Sequence, residues 1–348
     1  MKDIKLLNRV IGKNHKPFVI AEMSGNHNKS LDRALEMVDA AAAAGAHALK
    51  LQTYTADSIT MKGAYTISDK NSLWNGKELY DLYSVASTPY EWHADIFKRA
   101  NDKGMIAFSS PFDEAAVDFL ESLNVPAYKI ASFENSHHPL LKKVASTGKP
   151  VIVSTGVATE NDIAESVKVL RDAGCNDIIL LKCTSTYPAS PENTNLLTIP
   201  YMERKFGCLT GLSDHTMGIG VSIASVALGA RVIEKHFTLK RSDGGVDSTF
   251  SMEPMELKEL VIESERAFHA LGKIQLDVQE SERNSLIFKR SIYISKDIEE
   301  GEIISKEHIR IIRPALGIEP KYMDDVIGKR IVRSVKKGTA FTWDLINK

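Results

Sequence analysis

His215 and His236 each end a polar cluster that follows a short apolar run: Ser213-Asp214-His215 after GCLTGL, and Glu234-Lys235-His236 after ARVI. A single apolar stretch of helix length separates the two clusters. An apolar run, a helix and a second apolar run read as a βαβ unit. Parallel strands of one sheet bring their C-terminal ends to the same edge. The two imidazoles are therefore expected to face one cavity. Two imidazoles there can hold one divalent metal and leave positions open for water or substrate. The alternative is two histidines that cap helices or pack in the core.

The rest of the chain supplies six more strand–helix units. The expected strands are PFVIAEMSGNH (17–27), ALKLQTY (48–54), MIAFSSPF (105–112), AYKIASFE (127–134), KPVIVSTGVA (149–158) and DIILLKCTSTYP (177–188). Amphipathic stretches follow them, and Gly45 is placed to stop the first in the left-handed conformation. Near-continuous apolar strands alternating with helices predict an α/β fold, a (β/α)8 TIM barrel over residues 1–272. A doubly wound open sheet is the runner-up, but no GxGxxG or GxxxxGK[ST] opens a helix, which weighs against a nucleotide-binding form of it. The insertion at 55–87, with NSLWNGKELYDLY inside it, is long enough to be a lid or binding loop. Residues 273–290 are polar and read as a linker. Residues 291–348 carry short β-like runs between charged, glycine-bearing turns and predict a small, mostly β domain.

A barrel places its chemistry at the C-terminal ends of its strands. Those ends carry Glu22 and Asn26, then Lys50 and Gln52, Ser109 and Ser110, Lys129, Ser132 and Glu134, Ser154 and Thr155, and Lys182, Thr184 and Ser185. Ser213, Asp214, His215, Glu234, Lys235 and His236 complete the ring. Lysines interleaved with small hydroxyls suit a phosphorylated, anionic substrate. The competing reading is that Lys50, Lys129 and Lys182 form ion pairs inside the barrel. Burying an unpaired charge costs at least several kcal/mol, so an anion beside a metal is the favoured reading. Asp247, in RSDGGVDSTFSMEP (241–254), either caps a turn or offers a carboxylate to sugar hydroxyls. Trp74 and Tyr80 either stack on a sugar face or anchor the insertion.

The bulk numbers bound the rest. A chain of 348 residues with net charge −1 and 26% charged residues lacks the basic surplus of a nucleic-acid binder. No apolar run reaches transmembrane length, and the first residues lack a signal-peptide core, so a cytoplasmic protein is expected. Cys175, Cys183 and Cys208 are widely spaced and odd in number, which fits neither a disulfide framework nor a zinc motif. They read as reduced thiols with no special role.

The motifs AEMSGNHN, KLQTYT, SSPFDE, YKIASFE, PVIVSTG, LLKCTSTYP, GLSDHTMG, EKHFTL and DSTFSMEP, in unbroken order, resemble the sialic acid synthase family. IRPALGIEP resembles that family's antifreeze-like (SAF) domain. KLQTYT, NSLWNGKELYDLY and SSPFDE are most similar to its pseudaminic acid synthase branch. The resemblance implies condensation of phosphoenolpyruvate with an open-chain amino sugar, which for that branch is 2,4-diacetamido-2,4,6-trideoxy-altrose. N-acetylneuraminate and legionaminate synthesis are the same chemistry on other sugars. A sugar-acid-binding barrel and an ice-binding module are the non-enzymatic alternatives.

The resemblance further implies a divalent ion, manganese first and magnesium or cobalt as alternatives, on His215 and His236. Lys50, Ser110, Lys129, Ser132, Ser154, Lys182 and Ser213 match phosphoenolpyruvate contacts; Gln52, Tyr187 and Asp247 match sugar contacts. Glu134 is the expected general acid or base, with Glu22 and Thr184 beside it in the cavity. Arg313 matches an arginine lent by one subunit to the barrel of the other, which implies a domain-swapped homodimer. After Ser-Phe-Glu the family continues with an aliphatic residue and threonine, whereas here Asn135-Ser136-His137-His138 follows.

Overall fold

A computed structural model describes residues 2–70 and 72–347. Asn71, the first residue of NSLWNGKELYDLY, lies outside the described residues. The chain separates into two compact units, Met1–Gly272 and Lys273–Lys348.

The first unit is a closed barrel of eight parallel strands. They are β1 (Phe18–Glu22), β2 (Ala48–Thr53), β3 (Ile106–Pro111), β4 (Tyr128–Ile130), β5 (Val151–Ser154), β6 (Ile178–Cys183), β7 (Leu209–Asp214) and β8 (Val232–His236). Each pairs with the next, and β8 pairs with β1 in a register that sets His236 beside Glu22. The ring is closed by hydrogen bonds, so the open-sheet alternative is excluded. Nearly every strand residue is buried, because lumen side chains fill one face and helices cover the other.

The covering helices start where local chemistry allows. Ser30 caps α1 (Leu31–Ala43) by accepting from the Arg33 N–H. Asp113 does the same for Ala116 at the start of the helix Glu114–Ser122, and Thr159 and Asp162 form a capping box on Glu160–Asp172. Gly45 follows α1 at φ +87°, the left-handed stop expected of it. The polar lead-in forms an antiparallel hairpin, Ile4–Leu6 with Arg9–Ile11, which buries Ile4, Leu6 and Ile11. The 55–87 insertion contains two short helices, Ala56–Ile59 and Leu79–Ala86. In β7, a Cβ on Gly211 would stand 2.2 Å from the Val232 carbonyl oxygen of β8, so only glycine lets the two strands approach this closely.

The second unit pairs β9 (Ser291–Ile294) with β10 (Ile309–Ile312) antiparallel. Its own core gathers Ile292, Ile294, Ile298, Ile304, Ile309, Val326, Ile331, Val335 and Phe341. The two glycine-bearing turns pair with each other, the Ile298 N–H donating to the Val335 carbonyl at 3.0 Å and the reverse bond at 2.9 Å. Within 273–290, Glu280–Phe288 forms a 3₁₀ helix. Among the described residues, no helix is long and apolar enough to cross a membrane.

Candidate active site

Strand alternation sorts the polar clusters of β7 and β8 onto two faces. Asp214 and Lys235 sit outside the lumen: Lys235 Nζ lies 3.1 Å from Asp214 Oδ2, and the same carboxylate accepts from Ser222 Oγ of the covering helix at 2.6 Å. Ser213 and Glu234 face inward, joined by a 3.2 Å hydrogen bond. His215 and His236 stand at the mouth with ring centroids 5.3 Å apart. The His215 Nδ1 lies 3.0 Å from the Thr184 carbonyl oxygen. His236 Nδ1 is buried without a hydrogen-bond partner among the described residues and lies 3.7 Å from Asp247 Oδ2.

Below the rings, two lysines and two glutamates alternate in the lumen. Lys50 Nζ is 2.6 Å from Glu22 Oε2 and 3.8 Å from Glu234 Oε1. Lys129 Nζ is 3.4 Å from Glu234 Oε1. The surplus donor capacity goes to hydroxyls: Lys50 to Ser110 Oγ at 3.2 Å and Lys129 to Ser154 Oγ at 2.7 Å. Gln52 donates to Glu22 at 2.9 Å. Burial raises the pKa of Glu22 although Lys50 opposes it. Burial works the same way on Glu234, but Lys129 and Lys50 outweigh it and hold that group below its ordinary value. Burial lowers Lys129, with Glu234 opposing. At an effective dielectric of about 20, each contact near 4 Å is worth about 4 kcal/mol before desolvation; burial still outweighs that attraction at Glu22 and Lys129, whose shifts run toward the neutral forms. The ion-pair reading thus holds for Lys50 and Lys129. Lys182 differs: among the described residues it meets no carboxylate, donating to the Cys183 carbonyl at 2.8 Å and Thr184 Oγ1 at 3.0 Å.

The wall between β4 and β6 is lined by hydroxyls and one glycine. A Cβ on Gly156 would fall 2.1 Å from Ser185 Oγ and 2.6 Å from Ser132 Oγ, so these groups form one close-fitted cradle. Glu134 stands beside it in the 3₁₀ turn Ser132–Glu134. Its Oε2 is buried without a hydrogen-bond partner among the described residues, and burial lifts its pKa to about 7 against the pull of Lys129 and Lys50. Across the mouth, the Tyr187 ring lies 4.5 Å from His215 and 5.8 Å from Trp74. The Trp74 indole N–H donates to the Val246 carbonyl at 3.1 Å, which ties the insertion to the loop bearing Asp247. Asp247 accepts from Ser24 and is raised by its burial.

The NeuB family model matches residues 37–276, and the SAF domain model matches residues 289–347. The chain belongs to the NeuB family. It is 44% identical over 328 residues to the pseudaminic acid synthase of Campylobacter jejuni, covering 93% of this chain and 95% of that one. It is 35% identical over 335 residues to the N,N'-diacetyllegionaminic acid synthase of Legionella pneumophila, covering 94% of each. The crystal structure of N-acetylneuraminic acid synthetase from Leptospira borgpetersenii superposes with a TM-score of 0.74 at 34% identity, covering 82% of this chain and 95% of that chain.

In this NeuB-family barrel the expected residues Glu22, Lys50, Gln52, Ser110, Lys129, Ser132, Glu134, Ser154, Lys182, Thr184, Tyr187, Ser213, His215, His236 and Asp247 lie at the C-terminal mouth or just below it. Arg313 lies in the second unit, where it lines a cavity with Arg290 and Arg310. Among the described residues, no three His, Cys, Asp or Glu side chains form a set that could hold a metal ion by themselves. The two histidines nevertheless fit one with water or substrate oxygens completing its shell. His236 keeps an unpartnered nitrogen, and the Thr184 carbonyl occupies Nδ1 of His215, leaving Nε2 as its free donor.

Two residues escaped the sequence reading. Cys183, dismissed as inert, has its sulfur 3.9 Å from His215 Nδ1. Burial opposes its ionisation, yet His215 draws its pKa down to about 6. Ser24 reaches Asp247 across 223 residues of sequence. Cys183 directly follows Lys182 at a strand end, and that position was the available signal; for Ser24 there was none.

Proposed function

We propose that this NeuB-family chain is a cytoplasmic pseudaminic acid synthase, condensing phosphoenolpyruvate with 2,4-diacetamido-2,4,6-trideoxy-altrose. One observation carries the reading: a buried lysine–carboxylate lattice beside two imidazoles, in a chain 44% identical over 93% of its length to a pseudaminic acid synthase. The residues 1–272 do the chemistry. Lys50, Lys129 and Lys182, with Ser110, Ser132, Ser154 and Ser213, hold the phosphate and carboxylate of phosphoenolpyruvate. Gln52, Thr184, Tyr187 and Asp247 hold the sugar, and Arg313 is the residue that one subunit lends to the barrel of the other. Glu22 fixes Lys50 and Gln52.

C3 of phosphoenolpyruvate forms the new bond to the aldehyde carbon, and cationic character develops at C2. Water adds at C2, with Glu134 taking its proton; a pKa of about 7 suits a group that must hold and return a proton. The tetrahedral intermediate collapses by C–O cleavage: phosphate leaves with the proton that Glu134 returns, and the proton lost by the C2 hydroxyl as the ketone forms goes to the alkoxide left on the former aldehyde carbon. The lysines keep the phosphate in place while its charge changes. A divalent ion held by His215 and His236, manganese in our reading, supplies Lewis acidity at the sugar carbonyl oxygen when bound.

The chain acts as a homodimer in this proposal. Ile274 and Leu276 are each 97% exposed and Phe288 63% exposed, an apolar run that a second copy would cover. Incubation with phosphoenolpyruvate, manganese and a panel of amino sugars tests the whole reading. Phosphate release should be fastest with the altrose derivative, and the product should have the mass and NMR couplings of pseudaminic acid. Faster release with N-acetylmannosamine or the legionaminate precursor would reassign the sugar. No release with any of them would leave a binding protein.

A further inference from the structure

The residue after Glu134 is buried in the wall of the site. Asn135 is 6% exposed. Its side-chain amide donates to the Gly156 carbonyl at 3.1 Å. Its own carbonyl accepts from Ser166 Oγ of the helix Glu160–Asp172. The residue therefore clamps the turn after β5 to the turn after β4.

That turn has reason to need a clamp. Val157, directly after Gly156, sits at φ +52° and is 71% exposed. A β-branched residue in the left-handed region is strained, and such strain persists only where the surroundings enforce it. On the N-terminal side of Val157, Gly156 is pressed against Ser132 and Ser185 so closely that a single methyl group would collide with both. Thr155 is tied to the Leu181 carbonyl at 3.0 Å. The amide of Asn135 supplies the remaining side-chain bond to this peptide.

We infer that Asn135 is a positioning residue for the phosphoenolpyruvate cradle. It holds the Gly156 peptide against Ser132 and Ser185, so that these hydroxyls, Ser154 and Lys129 present one fixed concave set of donors to the phosphate or carboxylate. It touches neither substrate. It acts on the phosphoenolpyruvate half of the site and leaves the sugar half, built from Tyr187, Trp74 and Asp247, unchanged. The inference rests on the proposed synthase reading for the identity of the anion, but the clamp itself can be tested by binding alone.

The test compares the wild type with Asn135→Asp and Asn135→Ala in the full-length protein. Asn135→Asp keeps the shape but sets a carboxylate oxygen against the Gly156 carbonyl; Asn135→Ala simply deletes the donor. Calorimetric titration with phosphoenolpyruvate should show about tenfold weaker binding for the aspartate variant and a smaller loss for alanine. In turnover assays KM for phosphoenolpyruvate should rise by a similar factor, while KM for the sugar stays within twofold. Unchanged phosphoenolpyruvate affinity in both folded variants would overturn the inference. So would a parallel fall in both substrates' affinities with the melting temperature, which marks a merely structural residue. If Asn135→Asp fails to fold, Asn135→Ala decides by the same criteria. If the wild type binds phosphoenolpyruvate but condenses it with no sugar, the synthase reading fails while the clamp stands or falls on the calorimetry.

Discussion

Two buried ion-pair systems meet in β8 at consecutive residues, Glu234 and Lys235. Asp214 and Lys235 face the helical layer, where every oxygen of the carboxylate is used: Oδ1 by the Thr216 N–H and hydroxyl at 2.9 and 2.8 Å, Oδ2 by Ser222 and Lys235. Glu234, between Ser213 and the lysines, faces the lumen and keeps one oxygen buried with no hydrogen-bond partner among the described residues. A saturated pair fixes a fold. An unsaturated lattice fixes geometry and keeps capacity for something else to bind. Residue type alone does not separate the two; the side of the strand does.

Substitutions that exchange these roles would break the comparison. The largest effect is expected inside the lumen: Lys129→Met should lower kcat/KM for phosphoenolpyruvate by at least about a thousandfold, with the cooperative melt retained. Loss of folding instead would make the lattice structural. His236→Ala should abolish turnover and erase its dependence on added metal; wild-type turnover in the presence of chelator would remove the metal from the mechanism. Glu134→Gln should cost about a hundredfold in kcat and remove the pH-dependent limb near 7. That limb should rise with pH, since the ionised group is the base. For stability the sign is opposite: the raised pKa of Glu134 contributes fully below its ordinary 4.5 and is lost as pH climbs through about 7. Melting curves of the glutamine variant should be flatter over that window. On the outer face, Lys235→Met should destabilise the fold by about 3–5 kcal/mol, because it leaves Asp214 buried and unpaired, while the KM values of surviving protein stay unchanged. The smallest effect belongs to the double variant Asp214→Leu/Lys235→Met, which should recover most of that loss in chemical denaturation.

Much of this was legible beforehand because period-two alternation and apolar runs are local signals. The strands carrying Glu22, Lys50, Lys129 and Lys182 could be read from them, and their common edge followed from the parallel βαβ rule. The histidine pair was legible for the same reason. Local pattern carries no information on which lysines meet which glutamates, so Lys182 looked equivalent to Lys50 and Lys129 although only those two have carboxylate partners. The contacts of Ser24 with Asp247 and Trp74 with Val246 join loops far apart in sequence and depend on ring closure. Cysteine counting read Cys183 as a free thiol, which it is, but such counting addresses disulfides and zinc motifs and says nothing about a thiol packed against an imidazole.

Gly211 has an effect well above its own position. With a side chain there, the Val232 carbonyl would have to retreat and β8 would swing away from β7. Those two strands carry His215 and His236. The gap between the imidazoles is thus gauged by a residue with no functional group at all, several ångströms below the chemistry. Gly211→Ala should therefore read out first as a loosened grip on the ion, in metal titrations, before any loss of substrate binding.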